Sequence, residues 1–176
     1  VVAEICATSG LDWLLIDAEH SPNGLEAISA QLIAVHGNGA IAVVRPPVGD
    51  QVGIKQLLDL GAQNLLIPMV DTAEQAAALV SYMRYPPRGV RGVGSALARA
   101  SRWNRIENYL ERAEETISLT VQIETAEAVT NVLPSLASTV WMQSSSAPLT
   151  SPPQWVCSAS KTTGMLSLPR CTASRS

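Results

Sequence analysis

Trp13-Leu14-Leu15-Ile16-Asp17 is an apolar run that ends on a charged residue, as a strand buried in a parallel sheet does. Similar runs occupy residues 40–45, 64–70 and 118–124. Helical stretches separate these runs, and strands that alternate with helices form parallel α/β sheets. We therefore predict an α/β fold, either a β/α barrel or an open doubly wound sheet.

The intervals between the strands show helical periodicity. Apolar residues recur at helical spacing over Leu25–Val35 and over residues 54–58, after which Gly61 is a suitable C-cap. The other predicted helices are residues 76–83, capped by Asp71 or Thr72, and residues 107–116.

Composition excludes several functional classes. The 176 residues carry a net charge of −3 without acidic or basic blocks, which argues against nucleic acid or an anionic membrane as a partner. No apolar run approaches the roughly 20 residues of a membrane span. Three scattered cysteines (Cys6, Cys157 and Cys171) suit neither a disulfide framework nor a zinc site. We predict a soluble, cytoplasmic protein with reduced thiols.

The chain changes character near its end. All 15 acidic residues lie at or before Glu127, whereas residues 138–176 contain 15 Ser or Thr and no acid. We predict an incomplete barrel domain over 1–137 and a disordered tail over 138–176 that is not native barrel sequence. Because the chain opens on Val1 rather than Met, we also expect sequence to precede it.

Ionisable residues gather where the predicted strands end: Asp17, Glu19 and His20, then Arg45, then Glu124. In a β/α barrel these C-terminal strand ends form the functional face. No Gly-x-Gly-x-x-Gly turn follows a strand, so a dinucleotide site lacks its marker. The pattern predicts an active site at the C-terminal ends of the strands.

Each candidate has a functional and a structural interpretation. His20 is either a general base prepared by a neighbouring carboxylate or a loop histidine with a local hydrogen bond. Arg45 is either a structural ion-pair partner or a clamp for a carboxylate or an enolate oxygen. Glu124, on the same strand side as Gln122, is either a ligand for Mg²⁺ or Mn²⁺ or an acid at a helix N-terminus. We expect His36 to be exposed to solvent.

The loop over residues 84–95 contains three arginines and several glycines. Such a loop could bind an anion through backbone N–H groups and guanidinium groups. It lacks P-loop spacing, which argues against nucleotide binding. A tight structural loop is the favoured interpretation.

Taken together, several strings resemble the HpcH/HpaI class II aldolases, of the 4-hydroxy-2-oxoheptanedioate and 2-keto-3-deoxy-sugar-acid aldolase type. The resemblance covers residues 2–134, in family order and spacing. It rests on Asp12-Trp13-Leu14-Leu15-Ile16-Asp17-Ala18-Glu19-His20-Ser21-Pro22-Asn23, Val43-Val44-Arg45-Pro46, Gln56-Leu57-Leu58-Asp59-Leu60-Gly61, Leu66-Ile67-Pro68-Met69-Val70, Arg84-Tyr85-Pro86-Pro87, Arg91-Gly92-Val93-Gly94 and Val121-Gln122-Ile123-Glu124-Thr125.

This resemblance implies a partial (β/α)8 barrel, a homo-hexamer and a divalent cation such as Mg²⁺, Mn²⁺ or Co²⁺. The implied reaction is reversible cleavage of 2-keto-4-hydroxy acids to pyruvate and an aldehyde. By position, His20 is the base, Arg45 stabilises the enolate and Asp59 raises the basicity of the histidine. Gln122 contacts substrate and Glu124 is the first metal ligand. From its position beside His20, we add Asp17 as a candidate catalytic residue, the carboxylate that prepares the histidine as a base.

The sequence departs from the family where the second metal ligand is expected. The family strand Val-Asp-x-Val-Phe-Ile-Gly-Pro-x-Asp-Leu supplies that ligand as its last Asp, but residues 140–150 contain no acid. Read two bases later, the codons of Trp141 and Met142 force an Asp, those of Met142 and Gln143 force an Ala, and permitted codons complete the family strand. We interpret the tail as the product of a frameshift near residues 137–140, which sequencing of the gene would test.

The sequence therefore predicts a truncated member of this aldolase family with weak or absent activity. One alternative is a non-catalytic barrel remnant. Another is a citrate-lyase-type C–C lyase that acts on a CoA ester, although the string around His20 argues for the aldolase branch.

Overall fold

A computed structural model of the protein describes residues 1–135 and 141–142, in which helices alternate with parallel strands. The elements are α1 (Val2–Ala7), β1 (Trp13–Asp17), α2 (Leu25–Val35), β2 (Ile41–Arg45), α3 (Gln51–Asp59), β3 (Asn64–Ile67), α4 (Ala73–Met83), the 3-10 turns Ser95–Leu97 and Arg99–Ser101, α5 (Tyr109–Arg112), the 3-10 turn Ala113–Glu115, β4 (Ser118–Val121), α6 (Ala126–Ser135) and β5 (Trp141–Met142).

The strands of the described residues form one parallel sheet in the order β1-β2-β3-β4-β5. Each strand lies beside the one that precedes it along the chain, as in a barrel, whereas a doubly wound sheet reverses its strand order at a switch point. The prediction of a parallel α/β fold is confirmed, and the strand order favours the barrel alternative.

Strand register separates a buried face from a more open one. Ile16, Val44 and Leu65 share the face beneath the helices, and each is at most 2% exposed. The opposite face begins with Trp13 and Ile41, which are 50% and 57% exposed. Because side chains alternate along a strand, that same face ends in the polar pair described below.

Helix ends follow local capping chemistry. Thr72 caps α4 through a capping box in which its hydroxyl accepts from the Gln75 backbone and the Gln75 side chain bonds the Thr72 backbone. The Asp50 side chain caps α3 at its N-terminus. Gly61 follows α3 with φ +94°, a conformation that glycine adopts without steric cost. The Thr72 cap and the position of Gly61 agree with the prediction from the sequence, whereas the Asp50 cap was not predicted.

The prediction of a helix over residues 107–116 is wrong. The chain there is helical only over Tyr109–Arg112 and continues in the 3-10 turn Ala113–Glu115. Asn108 has φ +54°, which interrupts any helix that would begin earlier. Tyr109 is buried edge-to-face against Tyr85, so tertiary packing decides the path of this segment.

Two predicted strands are shorter than their apolar runs. β3 ends at Ile67, because Pro68 has no N–H to donate to the sheet. β4 ends at Val121, but Gln122 still donates its backbone N–H to Ile67 and accepts from Val70. The backbone after β4 therefore remains attached to β3 where the polar site begins.

Apart from the backbone of β5, the predicted tail, the domain boundary near residue 138 and the proposed frameshift lie outside the described residues. Within residues 1–135 and 141–142, no helix has the length and apolar character needed to cross a membrane.

Candidate active site

Four polar side chains meet at the C-terminal ends of β1, β2 and β4. Asp17 ends β1 and Arg45 ends β2, directly opposite each other in the sheet register. Gln122 and Glu124 follow the end of β4. Because parallel strands end at the same edge of a sheet, these residues of distant sequence form one cluster.

Arg45 lies at the centre of this cluster. Its Nε and Nη2 donate to the two carboxylate oxygens of Asp17, at 2.9 and 2.8 Å. Its Nη1 donates to Gln122 Oε1 at 3.4 Å and lies 3.1 Å from Glu19 Oε2. The Arg45 side chain is only 12% exposed. A planar guanidinium held by two carboxylates is fixed in position as well as in charge.

The ion pair shifts the titration of both partners. The hydrogen bonds from Arg45 lower the pKa of Asp17 to about 2, against the opposing effect of partial burial. The same hydrogen bonds raise the pKa of Arg45. Asp17 is therefore a carboxylate and Arg45 a cation at neutral pH. The Glu124 charge also favours the cationic form of Arg45.

The loop after β1 presents His20 to solvent beside Glu19. The Glu19 backbone N–H donates to Asp17 Oδ1 at 3.0 Å, and Asn23 donates to the Asp17 carbonyl at 2.6 Å. His20 Nε2 lies 3.6 Å from Glu19 Oε2, and its side chain is 75% exposed. Glu19 Oε2 is buried without an aligned hydrogen bond, so its charge is compensated by the Arg45 ion pair. The His20 imidazole is thus accessible to solvent beside the Glu19–Arg45 ion pair.

Glu124 is held by residues that follow β3 and β4. Its Oε1 accepts from the Met69 backbone N–H at 2.8 Å, and its Oε2 accepts from Gln122 Nε2 at 3.4 Å. Met69 has φ +55°, a strained conformation that points its N–H at this carboxylate. The Glu124 side chain is fixed at the rim of the site.

The donor set for a divalent cation is incomplete. No group of three His, Cys, Asp or Glu side chains that could hold a metal occurs within the described part of the chain. Glu124 is a suitable oxygen ligand, but no Asp or Glu follows Glu127 anywhere in the sequence. The residues present therefore do not form the two-carboxylate site that the family resemblance implies.

Asp59 is not brought to His20 within this chain. It is the last residue of α3, which runs against the strands and ends near the start of β3, whereas His20 follows the end of β1. Asp59 Oδ1 instead accepts from Arg91 at 2.7 Å, and the fully buried Arg91 lies 4.4 Å from the Tyr85 ring centroid. The carboxylates near His20 are those of its own loop.

Two contacts in the site were not predicted from the sequence. Glu19 contacts Arg45 directly, a role that its position beside His20 did not indicate. Met69 contributes a backbone N–H through a left-handed conformation that no sequence pattern marks. Most residues of the loop over 84–95 are exposed, but Tyr85, Arg91 and Ser95 are buried and anchor it to the protein.

Comparison with known proteins shows the family to which the chain belongs. The sequence profile of the family described as HpcH/HpaI aldolase/citrate lyase matches residues 1–140. The chain belongs to this family. Hydroxypyruvate/pyruvate aldolase of Deinococcus radiodurans is 59% identical over 130 residues, which are 74% of this chain and 47% of that protein. The 4-hydroxy-2-oxo-heptane-1,7-dioate aldolase of Salmonella heidelberg is 57% identical over 130 residues, 74% of this chain and 49% of its own length.

This family member therefore spans about half the length of the curated relatives it matches. A solved family protein from Burkholderia cenocepacia superposes with a TM-score of 0.76 at 33% identity, over 81% of this chain and 59% of that one. An HpcH/HpaI aldolase from Desulfitobacterium hafniense gives 0.70 at 30% identity, over 82% and 56%. The predicted family is confirmed, and so is the TIM-barrel-type α/β fold.

Proposed function

We propose that the site around Arg45 belongs to a class II pyruvate aldolase, which cleaves 2-keto-4-hydroxy acids reversibly to pyruvate and an aldehyde. The observation that supports this most is a partly buried guanidinium, fixed by Asp17 and Glu19, beside an accessible imidazole at the strand ends. Relatives at 56–59% identity carry aldolase names. These relatives favour the aldolase branch over a CoA-ester lyase.

The proposed step divides the chemistry between two side chains. His20 takes the proton of the C4 hydroxyl, the C3–C4 bond breaks, and the aldehyde leaves. The electron pair of that bond forms the pyruvate enolate, whose negative oxygen is placed against Arg45. His20 then returns the proton to C3, which gives pyruvate. Asp17 takes two of the five Arg45 N–H groups and Gln122 takes a third, so at most two N–H groups remain for Glu19 and the substrate.

We propose that the complete family protein depends on a divalent cation. Glu124 is the ligand for that cation that this chain retains. Because the second carboxylate is absent from the sequence, no step is assigned to a cation here. We expect residues 1–176 to turn over slowly. The hexameric assembly and the cytoplasmic location stay predictions.

Enolisation of pyruvate tests this proposal without requiring complete turnover. The chain is incubated with pyruvate in D2O and saturating Mn²⁺, the metal is removed by a chelator, and loss of the methyl proton signal is followed by NMR. We expect exchange above a Mn²⁺ blank, abolished in His20→Gln and Arg45→Met. Arg105→Gln is the matched control, because Arg105 contacts Trp103 rather than the site.

Two results would overturn the proposal for this chain. Exchange at the rate of the blank would favour the non-catalytic remnant. Exchange that survives in both His20→Gln and Arg45→Met would show that the site around Arg45 does not perform the chemistry. Circular dichroism of each variant separates loss of function from loss of fold.

A further inference from the structure

A second polar pocket lies at the opposite end of the sheet from Arg45. It occupies about 180 Å³ beside the C-terminal end of α3 and the residues that lead into β3 and β4. Leu58, Ala62 and Ile117 contribute apolar lining. Its ionisable lining residues are His36, Arg99 and Arg102.

The charges of this pocket are not compensated by acids. No carboxylate within the described residues pairs with Arg99 or Arg102, whereas the nearby Arg112 is paired with Glu115. Arg99 donates to the Leu60 carbonyl at 3.2 Å, and Arg102 Nη2 lies 2.6 Å from His36 Nε2. Desolvation and then the charge of Arg102 lower the pKa of Arg99. Two partly buried cations without an acid form a favourable environment for an anion.

The backbone around the pocket is built to admit these side chains. Gly61 has φ +94°, and a Cβ at this position would lie 2.7 Å from Arg99 Nη1. Arg102 begins three consecutive non-glycine residues, 102–104, with φ between +53° and +65°. A left-handed backbone is sterically unfavourable for residues other than glycine. This turn is held by Ser101 Oγ, which accepts from the Asn104 N–H at 2.9 Å, and it carries Arg102 to His36.

We propose that this pocket binds a phosphate-type oxyanion through Arg99, Arg102 and His36. Two guanidinium groups supply planar pairs of donors that match phosphate oxygens, and most of these donors have no partner among the described residues. The volume suits a single phosphate group rather than a nucleotide. The ligand is either free phosphate or the phosphoryl group of a small metabolite. The site is separate from the aldolase chemistry proposed above.

NMR of the histidine side chains tests this inference on the full chain. The sequence contains two histidines, so His36→Gln assigns the His36 signal. Inorganic phosphate and glycerol 3-phosphate are titrated in separate series at constant pH and ionic strength, with chloride as the balancing anion. We expect a saturable shift of the His36 signal. Saturation by both ligands indicates recognition of a phosphoryl group, and saturation by phosphate alone indicates a site for the free anion.

Variants of the lining arginines test whether phosphate binds in this pocket. Arg102→Gln and Arg99→Met should each weaken phosphate binding at least tenfold. Arg112→Gln, an exposed arginine outside the pocket, should leave it unchanged. The inference is overturned if the shift does not saturate, if chloride produces the same shift, or if Arg102→Gln binds phosphate normally. Arg102→Gln is the decisive variant because Arg99 also caps α3 through Leu60 and its loss could disturb the fold.

Discussion

Arg45 binds Asp17 through two parallel hydrogen bonds, from Nε to Oδ1 at 2.9 Å and from Nη2 to Oδ2 at 2.8 Å. The two residues end adjacent strands at paired register positions. The bond therefore joins β1 to β2 at their C-terminal ends while it fixes the plane of the guanidinium. One contact serves both the stability of the sheet edge and the geometry of the proposed site.

Replacing Asp17 with Asn should destabilise the protein. The amide keeps one acceptor but loses the charge and the second hydrogen bond, and it leaves Arg45 with less compensation in a partly buried position. We expect the free energy of unfolding to fall by about 1–3 kcal/mol in urea titrations. Asp12→Asn is the control, because Asp12 is exposed and makes no side-chain hydrogen bond or ion pair in the described structure. Equal midpoints for Asp17→Asn and wild type would contradict the prediction.

The same pair predicts how stability depends on acid. Asp17 has a folded-state pKa of about 2, below its ordinary value of 3.8, so the folded protein binds this proton less readily than the unfolded chain. The stabilisation is complete above about pH 4 and is lost as the pH falls toward 2. Urea midpoints measured across this range should fall less steeply for Asp17→Asn than for wild type. Parallel curves would show that Asp17 does not titrate in this way.

Arg45→Lys tests whether the planar fork matters beyond its charge. A lysine ammonium cannot form both parallel bonds to Asp17 while it also contacts Gln122. We expect pyruvate proton exchange to fall at least tenfold, measured by the NMR assay above, while the fold is retained. Arg105→Lys should exchange at the wild-type rate. Full activity in Arg45→Lys would mean that a positive charge alone is sufficient.

Local signals predicted the fold well because they are encoded within short segments. The apolar run of β1 and the periodicity of α2 gave the observed bounds, Trp13–Asp17 and Leu25–Val35. The segment over 107–116 failed because the conformation of Asn108 and the burial of Tyr109 depend on distant packing.

In the site, as in the fold, features set by short segments were predictable and contacts between distant segments were not. Charged residues at strand ends were sufficient to place Asp17, Arg45 and Glu124 in one region, since parallel strands end together. The partner of Asp59 was not predictable, because Arg91 reaches it from 32 residues away through an irregular loop. Pairings of this kind depend on the path of that loop, which carries no period in the sequence.

Thr72 provides a test of helix capping at a residue whose own hydrogen bonds do not involve the polar site. Its hydroxyl accepts from the Gln75 N–H at 3.2 Å, and the Gln75 side chain returns a bond to the Thr72 backbone at 3.1 Å. Thr72→Ala removes the first bond and should cost about 1 kcal/mol in urea titrations, with pyruvate exchange unchanged. Thr130→Ala, an exposed change inside α6, should be neutral or slightly stabilising because alanine favours helices. If both variants unfold at the same midpoint, the Thr72 cap does not contribute to the stability of α4.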